Sequence, residues 1–167
     1  MITFDNLFTK TRIYISNKKK KGDVFTEVYE DLLKQDCVTK DFLENLCERE
    51  QNYPTGIDLK PIDSGLPNIA IPHTESQFVK TSGIVPIKLN HPVDFYNMIN
   101  PEEKIPVSFL FMILNQNGQE QTGLLASIMD FINSCDKNEL NAFFQMEDPE
   151  QLFNFLKNNF RGVIAND

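Results

Sequence analysis

Two segments among the first fifty residues have apolar positions spaced with the period of an amphipathic helix. Between residues 24 and 35, apolar side chains recur three and four positions apart on one helical face, and Asp23 can cap the first turn. The segment 41–50 repeats this pattern, with Thr39 as a possible cap. We therefore predict two helices here, the second ending near Arg49 and Glu50.

The pattern is lost between residues 51 and 68, which contain three prolines and two glycines. Such a composition is typical of an ordered loop, and Pro54, Thr55 and Gly56 predict a turn within it. Long loops inside a compact domain are often functional.

Short apolar runs rich in β-branched residues follow at 69–71 and 83–89, and they predict strands. Residues 105–114 are nearly all apolar, which suits a central strand covered by helices on both faces. The segment 13–15 is a candidate for a further strand.

Helical periodicity returns in three segments near the end of the chain, 123–135, 137–146 and 149–160. Helices before and after a set of strands indicate a layered α/β domain, whose strand order the pattern does not give. A length of 167 residues suits one domain spanning 1–167.

Composition adds limits on location and partners. The chain is 41% hydrophobic and 24% charged, has no apolar run near the roughly 20 residues of a membrane span, and starts without a signal-peptide pattern, so we expect a cytoplasmic protein. A net charge of −8 disfavours binding to nucleic acid or anionic lipid and favours a basic protein partner.

Metal and nucleotide chemistry find no support in the sequence. The three cysteines lack CxxC spacing, which argues against a disulfide framework or a thiolate metal site, and the two histidines make no recognisable zinc motif. No GxxxxGK[ST] phosphate loop occurs. We expect no metal and no cofactor.

His73 is the leading candidate for chemistry, because imidazole suits nucleophilic work at neutral pH and only His91 shares this side chain. It follows an apolar run and Pro72, so we expect it where a strand gives way to a loop. The hydroxyl of Thr74 is placed to bond a phosphoryl oxygen or to hold the ring. Local chemistry alone leaves open, and even favours, a histidine that merely caps the strand.

The segments YPTG (53–56) and NIAIPHTE (68–75) resemble the IIA domain of the fructose and mannitol type sugar phosphotransferase systems, particularly their galactitol-like branch. The similarity continues through most of the chain, in order and spacing. Its other parts are LCERE at 46–50, GIVPIKLNHPVDF at 83–95, the apolar segment at 105–114 and the GLLASIMDFI helix.

This resemblance implies a mixed β-sheet flanked by helices, the mannitol/fructose-type IIA fold. It also implies that His73 accepts a phosphoryl group, through Nε2, from the phosphocarrier HPr. The group then passes to a IIB component, which in some systems is part of a IIBC membrane transporter. No cofactor is implied.

Two further residues follow from the same resemblance. Arg49 corresponds to the arginine that assists with phosphate charge, and a guanidinium can give a planar pair of hydrogen bonds to phosphate oxygens. Without the resemblance, a cation at a helix end complementing the helix dipole is the simpler explanation. Thr55 corresponds to a possible hydroxyl donor to the site, its alternative being turn chemistry alone.

One departure from the family pattern concerns a second histidine, which mannitol-type relatives carry in an Asn-Glu-His context after the central strand. Here Gln121 occupies the equivalent place. Glutamine can donate a hydrogen bond but cannot titrate, which favours the galactitol-like branch over a two-histidine mechanism. His91 lies in what reads as the polar end of a strand and does not obviously replace it.

Other functions remain as alternatives. A IIB component is excluded, because neither Cys37 nor Cys135 begins a glycine-rich phosphate loop. A IIA-like regulatory module, whose phosphorylation changes a protein contact, is the main competitor, followed by an interaction protein with an inert His73. The sugar cannot be read from this chain, since the transporter recognises it.

Overall fold

The computed structural model describes residues 3–118 and 121–160, which contain five strands, six α-helices and two short 3-10 helices, Lys10–Arg12 and Ser76–Phe78. The strands are β1 (Tyr14–Ser16), β2 (Gly56–Ile57), β3 (Asn68–Ala70), β4 (Gly83–Tyr96) and β5 (Lys104–Leu114). The helices are α1 (Phe4–Leu7), α2 (Lys21–Lys34), α3 (Phe42–Asn52), α4 (Gln121–Ser134), α5 (Lys137–Gln145) and α6 (Pro149–Asn159).

The strands form one mixed sheet in the order β1-β4-β5-β3-β2. The long strands β4 and β5 are antiparallel, β1 runs parallel to β4, and β3 runs parallel to β5. The apolar segment 105–114 is thus the middle strand, as predicted, and the layered α/β architecture is confirmed.

Two hydrophobic cores cover the two faces of the sheet. Alternate residues of β5 supply them: Phe109, Phe111 and Ile113 enter one core, and the residues between them enter the other. Helices α4, α5 and α6 close the first core, which is rich in phenylalanine, and α2 and α3 close the second. A strand buried on both faces explains the almost unbroken apolar run.

The segment at Gly56 differs from the predicted turn. Gly56 opens β2 and pairs with Ala70 of β3. A Cβ at this position would lie 2.6 Å from the carbonyl oxygen of Tyr96, so the close approach of β4 accounts for the glycine. The chain is extended here, not reversed.

The start of α2 and the end of β4 also differ from the boundaries predicted from the sequence. Helix α2 begins at Lys21, before the predicted cap Asp23, and the Lys21 ammonium lies over the Phe95 ring at 5.4 Å from its centroid. Strand β4 runs past residue 89 to Tyr96, with a register shift between Lys88 and Val93. His91 is exposed within this irregular stretch.

Neither a helix long and apolar enough to cross a bilayer nor a cluster of three metal-ligating side chains occurs among residues 3–118 and 121–160. Cys37 is buried, Cys47 is exposed and Cys135 is partly buried.

Candidate functional site

His73 lies three residues beyond the end of β3, and the central strand holds it in place. The carbonyl oxygen of Pro72 accepts a hydrogen bond from the N–H of Ile113 at 3.0 Å, and His73 itself forms a parallel bridge with Ile113. The segment that carries the histidine is therefore attached to the central strand of the sheet, as expected for a reactive group on a rigid frame.

The imidazole ring is oriented by a backbone contact, in which Nδ1 lies 2.9 Å from the carbonyl oxygen of Ile71. A carbonyl oxygen can only accept, so this bond requires the proton on Nδ1. In the neutral ring the free lone pair is then on Nε2. This nitrogen is the one that can attack an electrophile.

Partial burial of the ring lowers the pKa of His73 below its ordinary value. The bond to Ile71 opposes this effect, and the positive charge of Arg49 adds to it. This lowering of the pKa favours the neutral ring at physiological pH.

An open pocket of about 280 Å³ adjoins the ring, which is room for several water molecules and hence for a phosphoryl group. Its walls come from the histidine loop, from α3 and from the segment that follows β5. The lining residues are Arg49, His73, Thr74, Glu75, Ser76, Asn115 and Gly118.

Arg49, in the last turn of α3, supplies the positive charge of the pocket. Its guanidinium stacks on Tyr53, with Cζ 4.9 Å from the centroid of the ring. Its Nη1 lies 3.9 Å from Glu75 Oε2. Among the described residues its buried Nε has no hydrogen-bond partner. A guanidinium can pair its N–H donors with the oxygens of an anion. The side chain of Asn45, one turn earlier, accepts the N–H of Glu75 at 3.0 Å and ties the histidine loop to α3.

The remaining candidates from the sequence lie at different depths. Thr74 lines the pocket, and its hydroxyl donates to the carbonyl oxygen of Glu75 at 2.8 Å. Thr55 does not line the pocket; its buried hydroxyl donates to Glu50 at 2.8 Å and accepts the N–H of Ile71 at 3.2 Å. The side chain of Gln121 lies outside the described residues. His91, exposed on β4, is not part of the pocket wall.

Four lining residues were not predicted. Glu75 and Ser76 follow the histidine directly, so their position in the chain was a usable signal. Asn115 and Gly118 reach the site because β5 lies next to β3, and that strand order was not readable from the pattern.

With this geometry established, comparison with known proteins identifies the family. Residues 6–159 match the sequence model of the family described as "Phosphoenolpyruvate-dependent sugar phosphotransferase system, EIIA 2". The chain belongs to this family. The resemblance carried by YPTG and NIAIPHTE is thereby confirmed.

This EIIA chain is similar to the galactitol-specific EIIA component of the phosphotransferase system of Escherichia coli K12. The two are 27% identical over 131 residues, which cover 78% of this chain and 81% of that relative.

Two solved structures share the fold at lower identity. In the complex of enzyme IIAMtl with phosphorylated enzyme IIBMtl from E. coli, the matched chain superposes with a TM-score of 0.67 and 15% identity, over 90% of this chain and 97% of that one. The nitrogen regulatory protein IIA-Ntr from Neisseria meningitidis gives a TM-score of 0.60 and 21% identity, over 92% of this chain and 97% of that one. The mannitol-type IIA fold predicted from the sequence is thus confirmed.

Proposed function

We propose that this EIIA protein is a cytoplasmic phosphocarrier, which accepts a phosphoryl group from phospho-HPr on Nε2 of His73. It passes the group to a IIB component, alone or within a IIBC transporter, during uptake of a sugar or polyol. The observation that carries this proposal is the bond from Nδ1 to Ile71, which leaves Nε2 as the nucleophilic nitrogen of a ring in the pocket wall.

Acceptance is an in-line displacement at phosphorus. The Nε2 lone pair forms the new N–P bond while the phosphorus–nitrogen bond to the donor breaks, and the donor leaves with that electron pair. The proton on Nδ1 stays in place. The positive charge that develops on the ring is stabilised by the Ile71 carbonyl oxygen at 2.9 Å.

Negative charge on the three equatorial oxygens requires donors around them. Arg49 supplies the guanidinium, and Thr74 lies in the same pocket wall with a hydroxyl able to turn from its backbone acceptor toward a phosphoryl oxygen. Gln121 is proposed as a neutral donor at the position where other relatives carry a second histidine. Thr55 contributes indirectly, through Ile71.

Onward transfer reverses the geometry, with a thiolate of the IIB protein attacking phosphorus while the bond to Nε2 breaks. A carrier must hold its phosphoryl group without trapping it. One guanidinium, shared with Glu75 and with its side chain 32% exposed, suits this balance better than a buried cluster of cations.

The choice of partners rests on the relatives. The E. coli relative is named as galactitol-specific, and the IIAMtl structure is a complex with phosphorylated IIBMtl. By analogy we propose a IIB partner here, and a net charge of −8 favours encounter with a basic donor.

The test is phosphorylation by phosphoenolpyruvate, enzyme I and HPr. We expect acid-labile label on the wild type and on His91→Ala, and none on His73→Ala. An unlabelled wild type would refute the carrier proposal. Label that never reaches a IIB protein or a sugar would favour the regulatory alternative.

A further inference from the structure

A buried carboxyl group lies behind the histidine, outside the wall of the pocket. Glu50, in the last turns of α3, is only 3% exposed and makes no ion pair among the described residues. Both its oxygens accept hydrogen bonds from Thr55: Oε2 from the backbone N–H and Oε1 from the hydroxyl, each at 2.8 Å. Burying a carboxyl group without a cation is costly, and the burial raises the pKa of Glu50.

These bonds continue to the imidazole ring. The Thr55 hydroxyl oxygen accepts the N–H of Ile71 at 3.2 Å, and the carbonyl oxygen of Ile71 accepts Nδ1–H of His73 at 2.9 Å. Because the Thr55 hydroxyl oxygen presents a lone pair to the N–H of Ile71, its own hydrogen is left for Glu50 Oε1. Glu50 thus fixes the rotation of the Thr55 hydroxyl, while the N–H and the carbonyl oxygen of Ile71 can only donate and accept.

The position of Ile71 makes this arrangement important for the ring. Strand β3 ends at Ala70 and Pro72 has no N–H, so the N–H of Ile71 is the last backbone donor before the histidine. Its acceptors are the hydroxyl and, at 3.3 Å, the carbonyl oxygen of Thr55. Thr55 therefore holds the backbone at Ile71, the residue whose carbonyl oxygen accepts Nδ1–H of His73.

We propose that Glu50 is a positioning residue for phosphoryl transfer: through Thr55 and the backbone of Ile71, it holds the carbonyl oxygen that keeps the proton on Nδ1 and leaves Nε2 free. This inference rests on the proposed function of His73. It assigns Glu50 a role in the reaction without contact with the phosphoryl group.

Glu50→Gln is the main test, because it keeps the shape of the side chain and replaces one acceptor oxygen with a donor. The Gln amide can then donate to the Thr55 hydroxyl, whose own hydrogen loses its buried acceptor. We expect the maximal rate of phosphoryl acceptance from phospho-HPr to fall about tenfold with the KM for the donor within twofold, since loss of alignment affects the chemical step.

Thr55→Val and Thr55→Ser separate the hydroxyl from its surroundings. Valine removes the bridge and should reproduce the loss of rate, whereas serine keeps the hydroxyl and should restore most of it. Asn68→Ala is the matched control. Asn68 is also buried, accepts from the N–H of Leu59 at 3.2 Å and donates to Pro106 at 3.0 Å, but these bonds do not lead to His73.

The ¹⁵N shifts of the His73 ring nitrogens provide a signature that loss of stability alone would not change. We expect the Nδ1–H tautomer in the wild type, Thr55→Ser and Asn68→Ala, and a mixture of tautomers in Glu50→Gln and Thr55→Val. The proposal would be overturned if Glu50→Gln or Thr55→Val kept the wild-type rate and tautomer. A loss of rate in Asn68→Ala equal to that in Glu50→Gln would also overturn it. A wild type that accepts no phosphoryl group would instead refute the proposed function.

Discussion

A histidine that receives a phosphoryl group must be neutral, fixed through one nitrogen and open at the other. His73 meets these conditions through its bond to Ile71, its partial burial and its place in the pocket wall. The pKa of the ring is lowered chiefly by burial, since removing the ring from water disfavours its charged form.

The first prediction concerns pH. Because the folded pKa of His73 lies below 6.5, its ordinary value, the ring should stay neutral on acidification past that pH. The unfolded chain takes up the proton first, so stability from this group should decline as pH falls through the interval between 6.5 and the folded pKa. A ¹H NMR titration, with His91→Ala to assign the ring signals, measures the midpoint. A midpoint at or above 6.5 would contradict the account.

Arg49 provides the second prediction. Arg49→Ala should slow phosphoryl acceptance about 100-fold, comparable to removing a donor from an oxyanion site, while urea unfolding changes by no more than about 1 kcal/mol. Arg49→Lys retains the charge without the planar pair of donors and should give an intermediate rate. A marked loss of stability with an unchanged rate would reduce Arg49 to a helix-end cation.

At the scale of elements, the contact between β2 and β4 depends on a glycine. A methyl group at Gly56 would lie 2.6 Å from a backbone oxygen and 3.1 Å from Cδ1 of Ile105, so Gly56→Ala should lower the free energy of unfolding by about 1–3 kcal/mol. Gly22, in α2, has no atom within 4 Å of such a methyl group, and Gly22→Ala should raise that free energy by up to about 1 kcal/mol. Urea unfolding of both variants checks the contrast, and equal effects would contradict it.

The sequence predicts well those elements whose capping residues and apolar face all lie within the element or next to it. Helix α6 has its cap Asp148, Pro149 at its first position and an apolar face, and it forms as predicted. Helix α2 begins before the predicted cap Asp23, and Lys21 at its start contacts the ring of Phe95, which lies seventy-four positions later in the chain. The role of Gly56 depends equally on a distant strand, which no local signal reports.

At the scale of the whole molecule, strand order decides what the sequence can predict of the site. His73, Arg49 and Thr74 were identified from the chain itself or from family resemblance. The contribution of Asn115 requires knowing that β5 lies beside β3, and the position of Thr55 behind the ring requires the pairing of β2 with β3. Long-range pairing is not encoded in the local periodicity of either strand.

The acidic surface leads to a prediction about encounter with a basic donor. Glu48, exposed on α3 next to Arg49, and Glu147, exposed between α5 and α6 on the opposite layer, give the same change in net charge when replaced by lysine. Glu48→Lys should lower kcat/KM for phospho-HPr several-fold at low salt, and Glu147→Lys much less. The difference should vanish at high salt, since the charges are then screened. Equal effects at low salt would contradict steering through this face.

The central claim is that Nε2 of His73 carries the phosphoryl group. It is tested most directly by ¹⁵N and ³¹P NMR of the chain phosphorylated by phosphoenolpyruvate, enzyme I and HPr, with the ring signals assigned in His91→Ala. The account predicts one phosphohistidine with phosphorus on Nε2 and a proton on Nδ1 of His73. Phosphorus on Nδ1, on another residue, or on none would contradict it.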